Sequence, residues 1–268
     1  MDHNNYKIYR DQRFLQGEED YNNFISMCRS LGIKIKPNTK ILDFGCGTGG
    51  FVYYLRKKGF LAFGTDTVNR YLYSEFLCNK NKLSMSKEKI FKTIDKGNYK
   101  IPFNNTFDIV YSNQILEHVK NLRQTISETN RVLKSGGVAL HIYPSRYRII
   151  EGHTYIPFAS LIQNYYYLLF WAKLGIRNEY QKNLNARETA LKNYYYLRNK
   201  TSYPRHKEIE DTFQNYFRTV SHVESALIEN NINRAILIKK IFRVIPIVSK
   251  FYGRLYGLLR HQIVLLKK

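Results

Sequence analysis

Cysteine, proline and glycine are scarce in this chain of 268 residues, with 3, 6 and 15 copies. The three cysteines, Cys28, Cys46 and Cys78, are an odd number without the short spacing of metal ligands, so they encode neither a disulfide framework nor a zinc site. With so little proline and glycine, and with 44% hydrophobic residues, collagen-like and disordered classes are excluded. We expect a globular protein with a substantial core in a reducing, cytoplasmic environment.

Long apolar runs are missing as well. The N-terminal segment MDHNNYKIYRDQRF lacks an apolar core before a small-residue cleavage site. Later in the chain, no segment is an uninterrupted apolar run of about 18 residues. The sequence therefore predicts a protein that is neither secreted nor membrane-spanning.

Acidic residues are outnumbered two to one. The chain has 21 aspartates and glutamates against 43 lysines and arginines, which leaves a formal net charge of +22. Such an excess predicts an anionic partner, which could be nucleic acid, a membrane surface or an acidic substrate. The charge alone does not distinguish these partners.

Short β-like runs alternate with helical stretches between residues 40 and 143. Strands are predicted at 41–44, 62–65, 90–94, 107–112 and 138–143, and helices at about 50–58, 68–80 and 117–133. Strands that are regularly separated by helices predict a doubly wound α/β fold with a mainly parallel sheet. Ligand sites in such folds lie at the carboxyl ends of the strands.

The chain divides into five predicted segments. A helical lead-in is followed by the α/β core, an inserted helical cap with 10 of the 23 tyrosines, a return to the sheet and a basic amphipathic tail. Their boundaries are 1–36, 37–146, 147–204, 205–232 and 233–268.

A glycine-rich turn follows the first predicted strand, in the segment ILDFGCGTGG at residues 41–50. A ligand can lie against bare backbone at such a turn, beside the N-terminus of the next helix. Gly45, Gly47 and Gly50 also satisfy the dinucleotide pattern, and Asp66 stands about 20 residues on, where a ribose-binding acid is expected. The turn by itself is compatible with two cofactors, NAD and S-adenosylmethionine.

Asp43 favours one of the two cofactors. A carboxylate two residues before Gly45 would repel the pyrophosphate of NAD, whereas it can pair with the ammonium group of S-adenosylmethionine. Asp66 can accept hydrogen bonds from both ribose hydroxyls. The simpler interpretations are that Asp43 is a solvated strand end and that Asp66 caps a helix.

The sequence resembles the class I S-adenosylmethionine-dependent methyltransferases. Besides the glycine turn, residues 101–137 read IPFNNTFDIVYSNQILEHVKNLRQTISETNRVLKSGG, which is similar to that family's fourth strand, following helix and entry into strand five. The resemblance covers about residues 38–145 and implies a seven-stranded Rossmann-like sheet with S-adenosylmethionine as cofactor. One departure is Gly97, which stands where the family often has an adenine-binding acid; the nearest acid is Asp95.

The resemblance also implies which residues surround the cofactor. It places Asp66 at the ribose and gives His118 a structural or cofactor-side role. The residues around the methionine part are Asp43, Gly45, Cys46, Gly47 and Gly49. The residues below the transferred methyl are Ser112, Asn113 and Gln114.

The segment after the fifth strand, HIYPSRYRIIEGHTYIPF at 141–158, holds the candidates for the acceptor side. His153 with Glu151 is a possible general base for an alcohol acceptor, with an effect of about 100-fold or more. Three residues could contact an anionic acceptor: Arg146, Arg148 and Tyr155. The simpler interpretation makes Glu151 and Arg148 a surface pair and His153 a turn residue.

Part of this segment, RIIEGHTYIPFASLI, is similar to a subgroup of uncharacterised bacterial methyltransferases, many of them encoded near surface-polysaccharide genes. That resemblance implies a glycan acceptor. Together with the candidate base and the two arginines, it predicts O-methylation of a glycan, a nucleotide sugar or a lipid-linked small acceptor.

The tail carries nine basic residues after Asn230 and no acid. Its apolar residues are spaced as one helical stripe: Tyr252, Leu255, Tyr256, Leu259, Ile263 and Leu266. Such a helix can lie on an anionic membrane face, which predicts a cytoplasmic protein at the membrane periphery. The alternative is that the stripe packs on the protein's own core.

Two other functions are compatible with the sequence. The basic charge and the tyrosines fit an RNA methyltransferase, although the segment SNQILEHV lacks the Asn and Pro-rich loop typical of nucleic-acid amino methylation. A non-catalytic binding protein with the same fold is the other alternative, which the two acids beside the glycines disfavour.

Overall fold

A seven-stranded sheet forms the centre of the part of the chain that the structure describes. The structure is a computed structural model, and the residues it describes are 3–83, 89–225 and 246–268. The strands are β1 (Lys40–Phe44), β2 (Leu61–Asp66), β3 (Phe91–Thr93), β4 (Phe107–Asn113), β5 (Leu133–Pro144), β6 (Thr219–His222) and β7 (His261–Lys267). Their order in the sheet is β3-β2-β1-β4-β5-β7-β6.

Helices cover both faces of this sheet, as expected for a doubly wound fold. They are α1 (His3–Ser30), α2 (Gly50–Lys57), α3 (Leu72–Lys80), α4 (Leu122–Val132), α5 (Tyr165–Lys173), α6 (Ala186–Lys200), α7 (His206–Tyr216) and α8 (Pro246–Leu259), with 3-10 turns at Leu116–His118 and Glu179–Gln181. The predicted fold class, the five predicted strands and the seven strands implied by the resemblance are confirmed.

The core lies in two layers, one on each face of the sheet. Successive side chains of a strand point to opposite faces. In β1, Ile41 therefore joins the cluster that contains Phe51 of α2, while Leu42 joins the cluster that contains Ile126 of α4. Both strand residues are fully buried, as required for a central parallel strand.

The C-terminal end of the chain is a strand, so the prediction of a helical tail over 233–268 is wrong there. Helix α8 ends at Leu259, and β7 then runs antiparallel to both β5 and β6. The segment from Ile263 to Leu266 is buried inside the sheet. Its continuous apolar run fits a strand buried on both faces, but Ile263 and Leu266 also fit a helical stripe, so spacing alone could not decide.

Residues 226–245 lie outside the described residues, and they include the end of the predicted return to the sheet and the start of the predicted tail. Within the described ranges, no helix combines the length and the apolar character that crossing a membrane requires.

Helix α1 crosses α2 at unusually close range. A Cβ atom on Gly17 would lie 2.3 Å from the carbonyl carbon of Gly50, and one on Gly50 would lie 2.5 Å from the carbonyl oxygen of Phe14. Glycine inside a helix costs about 0.5–1 kcal/mol relative to alanine, and here it permits backbone contact. The contact places α1 beside the N-terminus of α2, where the glycine turn ends.

Residues 147–204 contain α5 and α6, which pack on each other around a small apolar cluster of their own. Asn164 and Asn185 cap the two helices through their side-chain oxygens. The segment is tied to the core where the N–H of Ser202 donates to the carbonyl of Glu117 at 2.6 Å. The cap therefore approaches the sheet at the carboxyl end of β4.

Candidate functional site

The glycine turn after β1 is closed by backbone hydrogen bonds. The N–H groups of Gly45 and Cys46 both donate to the carbonyl of Thr65, at 2.7 and 2.9 Å. Gly45 and Gly47 have φ values of 84° and 53°, a region that favours glycine. No atom of the described residues lies within 4 Å of a Cβ placed on Gly47, so this residue leaves open space toward the cleft.

Asp66, at the end of β2, binds the turn from the other side. One carboxylate oxygen accepts the N–H of Gly47 at 2.8 Å, and the other accepts the N–H of Val68 at 3.0 Å. The guanidinium of Arg70 lies 3.6 Å away. A carboxylate has about four acceptor positions, so Asp66 can also accept ribose hydroxyls from a ligand in the cavity it lines.

Two adjoining cavities follow the carboxyl ends of β1, β2 and β4, with volumes of about 540 and 590 Å³. Asp66 lines the first, and Asp43, Cys46 and Gly47 line the second. The residues common to both are Gly45, Arg70, Ile115, His118 and Tyr196. Together the cavities form one continuous cleft, which we call the cofactor cleft.

Asp43 is buried at the floor of this cleft. Burial, together with the charges of Asp20 and Asp66, raises the pKa of the Asp43 carboxyl well above its usual range. A bound cation would reverse this effect because it stabilises the ionised form. The residues present therefore fit a ligand with positive charge, as S-adenosylmethionine has at its ammonium and sulfonium groups.

Helix α1 supplies three residues to the cleft that sequence reasoning missed: Arg13, Gln16 and Asp20. Burial and the neighbouring charge of Glu19 raise the pKa of Asp20 to about 6, against a lowering by Arg13. Asp20 thus adds a second carboxylate on the side of Asp43. The signal in the sequence was Gly17, because an isolated glycine in a helical pattern often marks a close packing contact.

Only part of the predicted strand-end group faces the cleft. Asn113 and Gln114 line it, together with Tyr111. Ser112 points to the opposite face, where its hydroxyl lies 2.7 Å from Nδ1 of the buried His141. The predicted cofactor contact of Ser112 is therefore wrong, because alternation along β4 turns it away when Tyr111 and Asn113 face the ligand.

Asp95 lies beside the cleft rather than in its wall. Its side chain is exposed, and its carboxylate accepts the N–H of Gly97 in a local turn. The wall at this point is formed by Ile94, Lys96 and Tyr99. The expected adenine contact of Asp95 is not supported, because the local hydrogen bond holds the carboxylate at Gly97.

Glu151 and His153 form a hydrogen-bonded pair at the opposite side of the cleft. Nδ1 of His153 lies 2.8 Å from Oε1 of Glu151, and the imidazole lines the cleft. The carboxylate also accepts from the N–H and hydroxyl of Thr154 and from the hydroxyl of Tyr203. Burial would raise the pKa of Glu151, but the bonds and charge of His153, with the other donors, lower it to about 2.

His118 lies between this pair and the cofactor side. Its Nδ1 is 2.8 Å from the carbonyl oxygen of Lys200, and its ring centroid is 5.1 Å from that of His153. Burial lowers the pKa of His118, which favours the neutral imidazole. Tyr196 of α6 lies 5.1 Å from the His153 ring and closes the cleft from the cap.

Glu117 is a buried carboxylate that the sequence reasoning did not single out. Neither of its oxygens has a hydrogen-bond partner among the described residues. Burial raises its pKa to about 7, against the lowering influence of its own backbone N–H and of His153 and Arg148. Glu117 lines a small cavity of about 20 Å³ together with Arg146 and Tyr203, and within the described part of the chain this cavity shares no lining residue with the cofactor cleft.

The three predicted acceptor contacts differ in position. Arg146 lines the small cavity and donates to the carbonyl of Tyr203 at 2.5 Å. Arg148 is half-buried against Gly152. Tyr155 is exposed, with a φ of 61°. None of these three residues therefore lines the cofactor cleft: Arg146 lies at the separate small cavity, and Tyr155 faces solvent.

The sheet order, the glycine turn and the acid at the end of β2 define a nucleotide-cofactor enzyme domain of the Rossmann-like class. Residues 17–216 match the family model described as a methyltransferase domain. The chain belongs to this family of methyltransferases, whose cofactor is S-adenosylmethionine.

Curated relatives of the chain differ in what they methylate. The sterol 24-C-methyltransferase of Schizosaccharomyces pombe is 30% identical over 136 residues, which cover 49% of this chain and 34% of that protein. The sarcosine/dimethylglycine N-methyltransferase of Aphanothece halophytica is 33% identical over 104 residues, covering 37% and 35%. The chain thus spans about a third of the length of these two relatives.

Among solved structures, the protein bound to the Trm112 methyltransferase activator of Haloferax volcanii is 14% identical. The TM-score is 0.51, and the match covers 98% of this chain and 96% of that one. At this identity, the likeness shows the fold alone.

Proposed function

We propose that the protein transfers a methyl group from S-adenosylmethionine to a hydroxyl of an anionic small acceptor. The observation that carries the proposal is His153, which lines the cofactor cleft and has a buried carboxylate 2.8 Å behind its Nδ1. This arrangement leaves Nε2 of His153 to contact the acceptor hydroxyl. When bound, the cofactor supplies an activated methyl group on a sulfonium with a neutral leaving group.

The chain's own residues contribute binding, orientation and proton removal. Asp43 and Asp20 attract the positive charge of the cofactor, and Gly47 lets it approach the backbone. Glu151 fixes the ring of His153 and stabilises the imidazolium that forms when Nε2 accepts the acceptor's proton. Tyr196 covers the cleft and helps to exclude water. Alignment of the acceptor with the methyl group would supply the remaining rate enhancement.

Guanidinium groups support an anionic acceptor such as a nucleotide sugar, a glycan phosphate or a lipid-linked sugar. Arg146 lines the small cavity beside Glu117, and Arg148 lies on the same segment between β5 and the Glu151–His153 pair. Arginine binds phosphate and carboxylate oxygens in a bidentate way. The relatives are named for methylation of carbon, nitrogen and oxygen, so the choice of a hydroxyl as acceptor rests on His153.

Labelled methyl transfer to fractionated cell extract tests this proposal. The wild type and His153→Ala would be incubated with methyl-labelled cofactor, and lipid, soluble sugar and RNA fractions counted separately. Label in nucleotide-sugar or lipid-linked material that depends on His153 supports the proposal. Label confined to RNA would overturn it in favour of the alternative that the charge of +22 suggests.

We also propose that the protein works at the cytoplasmic membrane face. Phe251 and Leu258 of α8 are 70% and 46% exposed, and Ile149 is 45% exposed. The N–H of Ile149 donates to the carbonyl of Leu259, so Ile149 adjoins the C-terminal end of α8. The exposed Arg254 and Arg260 accompany them, which supports an anionic lipid surface as the partner.

Sedimentation with vesicles tests the membrane proposal. The double variant Phe251→Ser, Leu258→Ser should pellet less with anionic vesicles than the wild type does, while Leu15→Ser, which removes a 64% exposed leucine from α1, should not change pelleting. Raised salt should weaken the binding only in part, because the apolar contribution persists. Equal pelleting of all three proteins would overturn the membrane proposal. Truncation before α8 is unsuitable because it would remove β7.

A further inference from the structure

Two histidines and a glutamate cluster at the ligand-binding edge of the sheet, beyond the acceptor side. His206 begins α7, Glu210 follows one turn later, and His222 ends β6. Residues four apart lie on the same face of a helix. Strands β5 and β6 are both antiparallel to β7, so they run in the same direction and their carboxyl ends share one edge.

The three side chains present ligand atoms to one point. One ligand atom from each residue lies within 4.8 Å of the others. Nε2 of His222 is 3.0 Å from Oε2 of Glu210, and the ring centroids of His206 and His222 are 5.6 Å apart. Small side-chain rotations suffice to bring two imidazole nitrogens and a carboxylate oxygen to about 2.0–2.2 Å from a shared ion.

Further polar groups stand behind both imidazoles. Oε1 of the buried Glu224 lies 3.5 Å from Nδ1 of His222, and the same oxygen accepts the N–H of Ile263 at the start of β7. The amide nitrogen of Gln262 lies 3.5 Å from Nδ1 of His206. If the amide group is rotated by half a turn, its oxygen can accept a hydrogen bond from the Nδ1 proton. Metal-binding histidines typically engage their second nitrogen in this way, which fixes the ring and the tautomer.

We propose that His206, Glu210 and His222 bind a divalent transition-metal ion of the zinc class, with Glu224 as a positioning residue for His222. Two imidazoles and one carboxylate suit such ions better than Mg²⁺ or Ca²⁺, which prefer oxygen ligands alone. Three protein ligands leave a tetrahedral ion one open position.

The surroundings of the cluster indicate which ligand could occupy the fourth coordination position of the ion. His206 and His222 line a cavity of about 660 Å³ together with Tyr147 and the exposed Arg254. This cavity shares Tyr147, His206 and Gln262 with the small cavity that contains Glu117. An anionic oxygen of a ligand in the 660 Å³ cavity can therefore reach the ion. The proposal stands on these residues alone and does not depend on the proposed methyl acceptor.

Metal titration of the full chain tests the site. Protein stripped with a chelator would be titrated with Zn²⁺ against a chromophoric competitor, and with Co²⁺ by visible absorption. We expect one tight equivalent. Glu224→Gln should weaken the affinity about 10- to 100-fold, as for other outer partners of metal-binding histidines. His222→Ala, which removes a ligand, should weaken it more and abolish the Co²⁺ bands.

Glu208→Gln is the matched control, because Glu208 is an exposed glutamate on the same helix, two residues from Glu210. It should leave the affinity unchanged, whereas Glu210→Gln should not, and circular dichroism of the stripped proteins checks that each variant folds. Equal affinity in the wild type, Glu210→Gln and His222→Ala would mean adventitious surface binding and would overturn the proposal.

Discussion

The cofactor side of the cleft presents bare backbone, carboxylates and the guanidinium groups of Arg13 and Arg70, whereas the proposed acceptor side presents the imidazole of His153 and the phenol of Tyr196. On the first side, the turn at Gly45 closes on Thr65, a neighbour in the sheet. On the second side, Glu151 is held by the hydroxyl of Tyr203, which is 52 residues away along the chain. The first arrangement follows from parallel strands that end together; the second depends on how the cap packs.

The difference suggests how such an enzyme can change acceptor while it keeps its cofactor. Asp43, Asp66 and the glycine turn belong to the sheet core, which is buried on both faces. The cap has its own small apolar cluster, so its helices can change without disturbing the sheet. Substitutions on the two sides should therefore affect separate steps, which the following predictions test.

The largest effect is expected on the acceptor side. His153→Ala should slow the chemical step by about 100-fold or more, because the acceptor hydroxyl loses its base, while cofactor affinity stays nearly unchanged. Single-turnover kinetics with labelled cofactor measures the step, and calorimetry measures the affinity. Unaltered turnover would assign His153 a structural role and leave alignment as the whole mechanism.

On the cofactor side, Asp66→Ala should lower the affinity for S-adenosylmethionine. Loss of hydrogen bonds to a charged acceptor, worth about 1–3 kcal/mol, corresponds to roughly 5- to 150-fold. Asp95→Ala is the matched control, since Asp95 is exposed beside the cleft, and it should bind normally. Asp66→Asn, which keeps one acceptor oxygen for the turn, separates ligand contact from damage to the fold. Equal losses in Asp66→Ala and Asp95→Ala would contradict the ribose assignment.

A smaller, pH-dependent effect is expected from α1. Asp20 has a pKa raised to about 6, so it gains negative charge as the pH rises through that value, and affinity for a cationic ligand should increase. For a partly exposed charge the gain is about 1 kcal/mol or less, up to about fivefold. Calorimetry at several pH values should show a flatter profile for Asp20→Asn, and the wild-type profile for Glu18→Gln, an exposed acid of the same helix. Matching profiles in all three proteins would remove Asp20 from the site.

The residues that could be predicted from sequence are those coded locally. Asp66 ends β2 and Asp43 is the last residue but one of β1, so the parallel order brings them to one edge of the sheet. Asp20 could not be placed, because its position depends on the contact of Gly17 with α2. The prediction for Ser112 is wrong because side chains alternate along β4, and Tyr111 rather than Ser112 faces the cleft.

Pairing with strands that are distant in the sequence explains why the predicted helical tail is wrong at its C-terminal end. The segment Ile263–Leu266 became a strand only because β5 and β6 offered it two edges. Without those partners in view, its apolar spacing was equally compatible with a continuation of α8. Glu151 and His153 were found because they stand two residues apart, whereas their bond to Tyr203 depends on the cap.

The central claim is that the carboxylates of the cleft select a cationic cofactor over a dinucleotide. Calorimetry of the full chain with S-adenosylmethionine and with NAD tests it most directly, with Asp43→Asn as the companion variant. We predict binding of S-adenosylmethionine, weaker binding in Asp43→Asn because the buried carboxylate no longer meets the ammonium group, and no binding of NAD. Tight binding of NAD without binding of S-adenosylmethionine would contradict the claim.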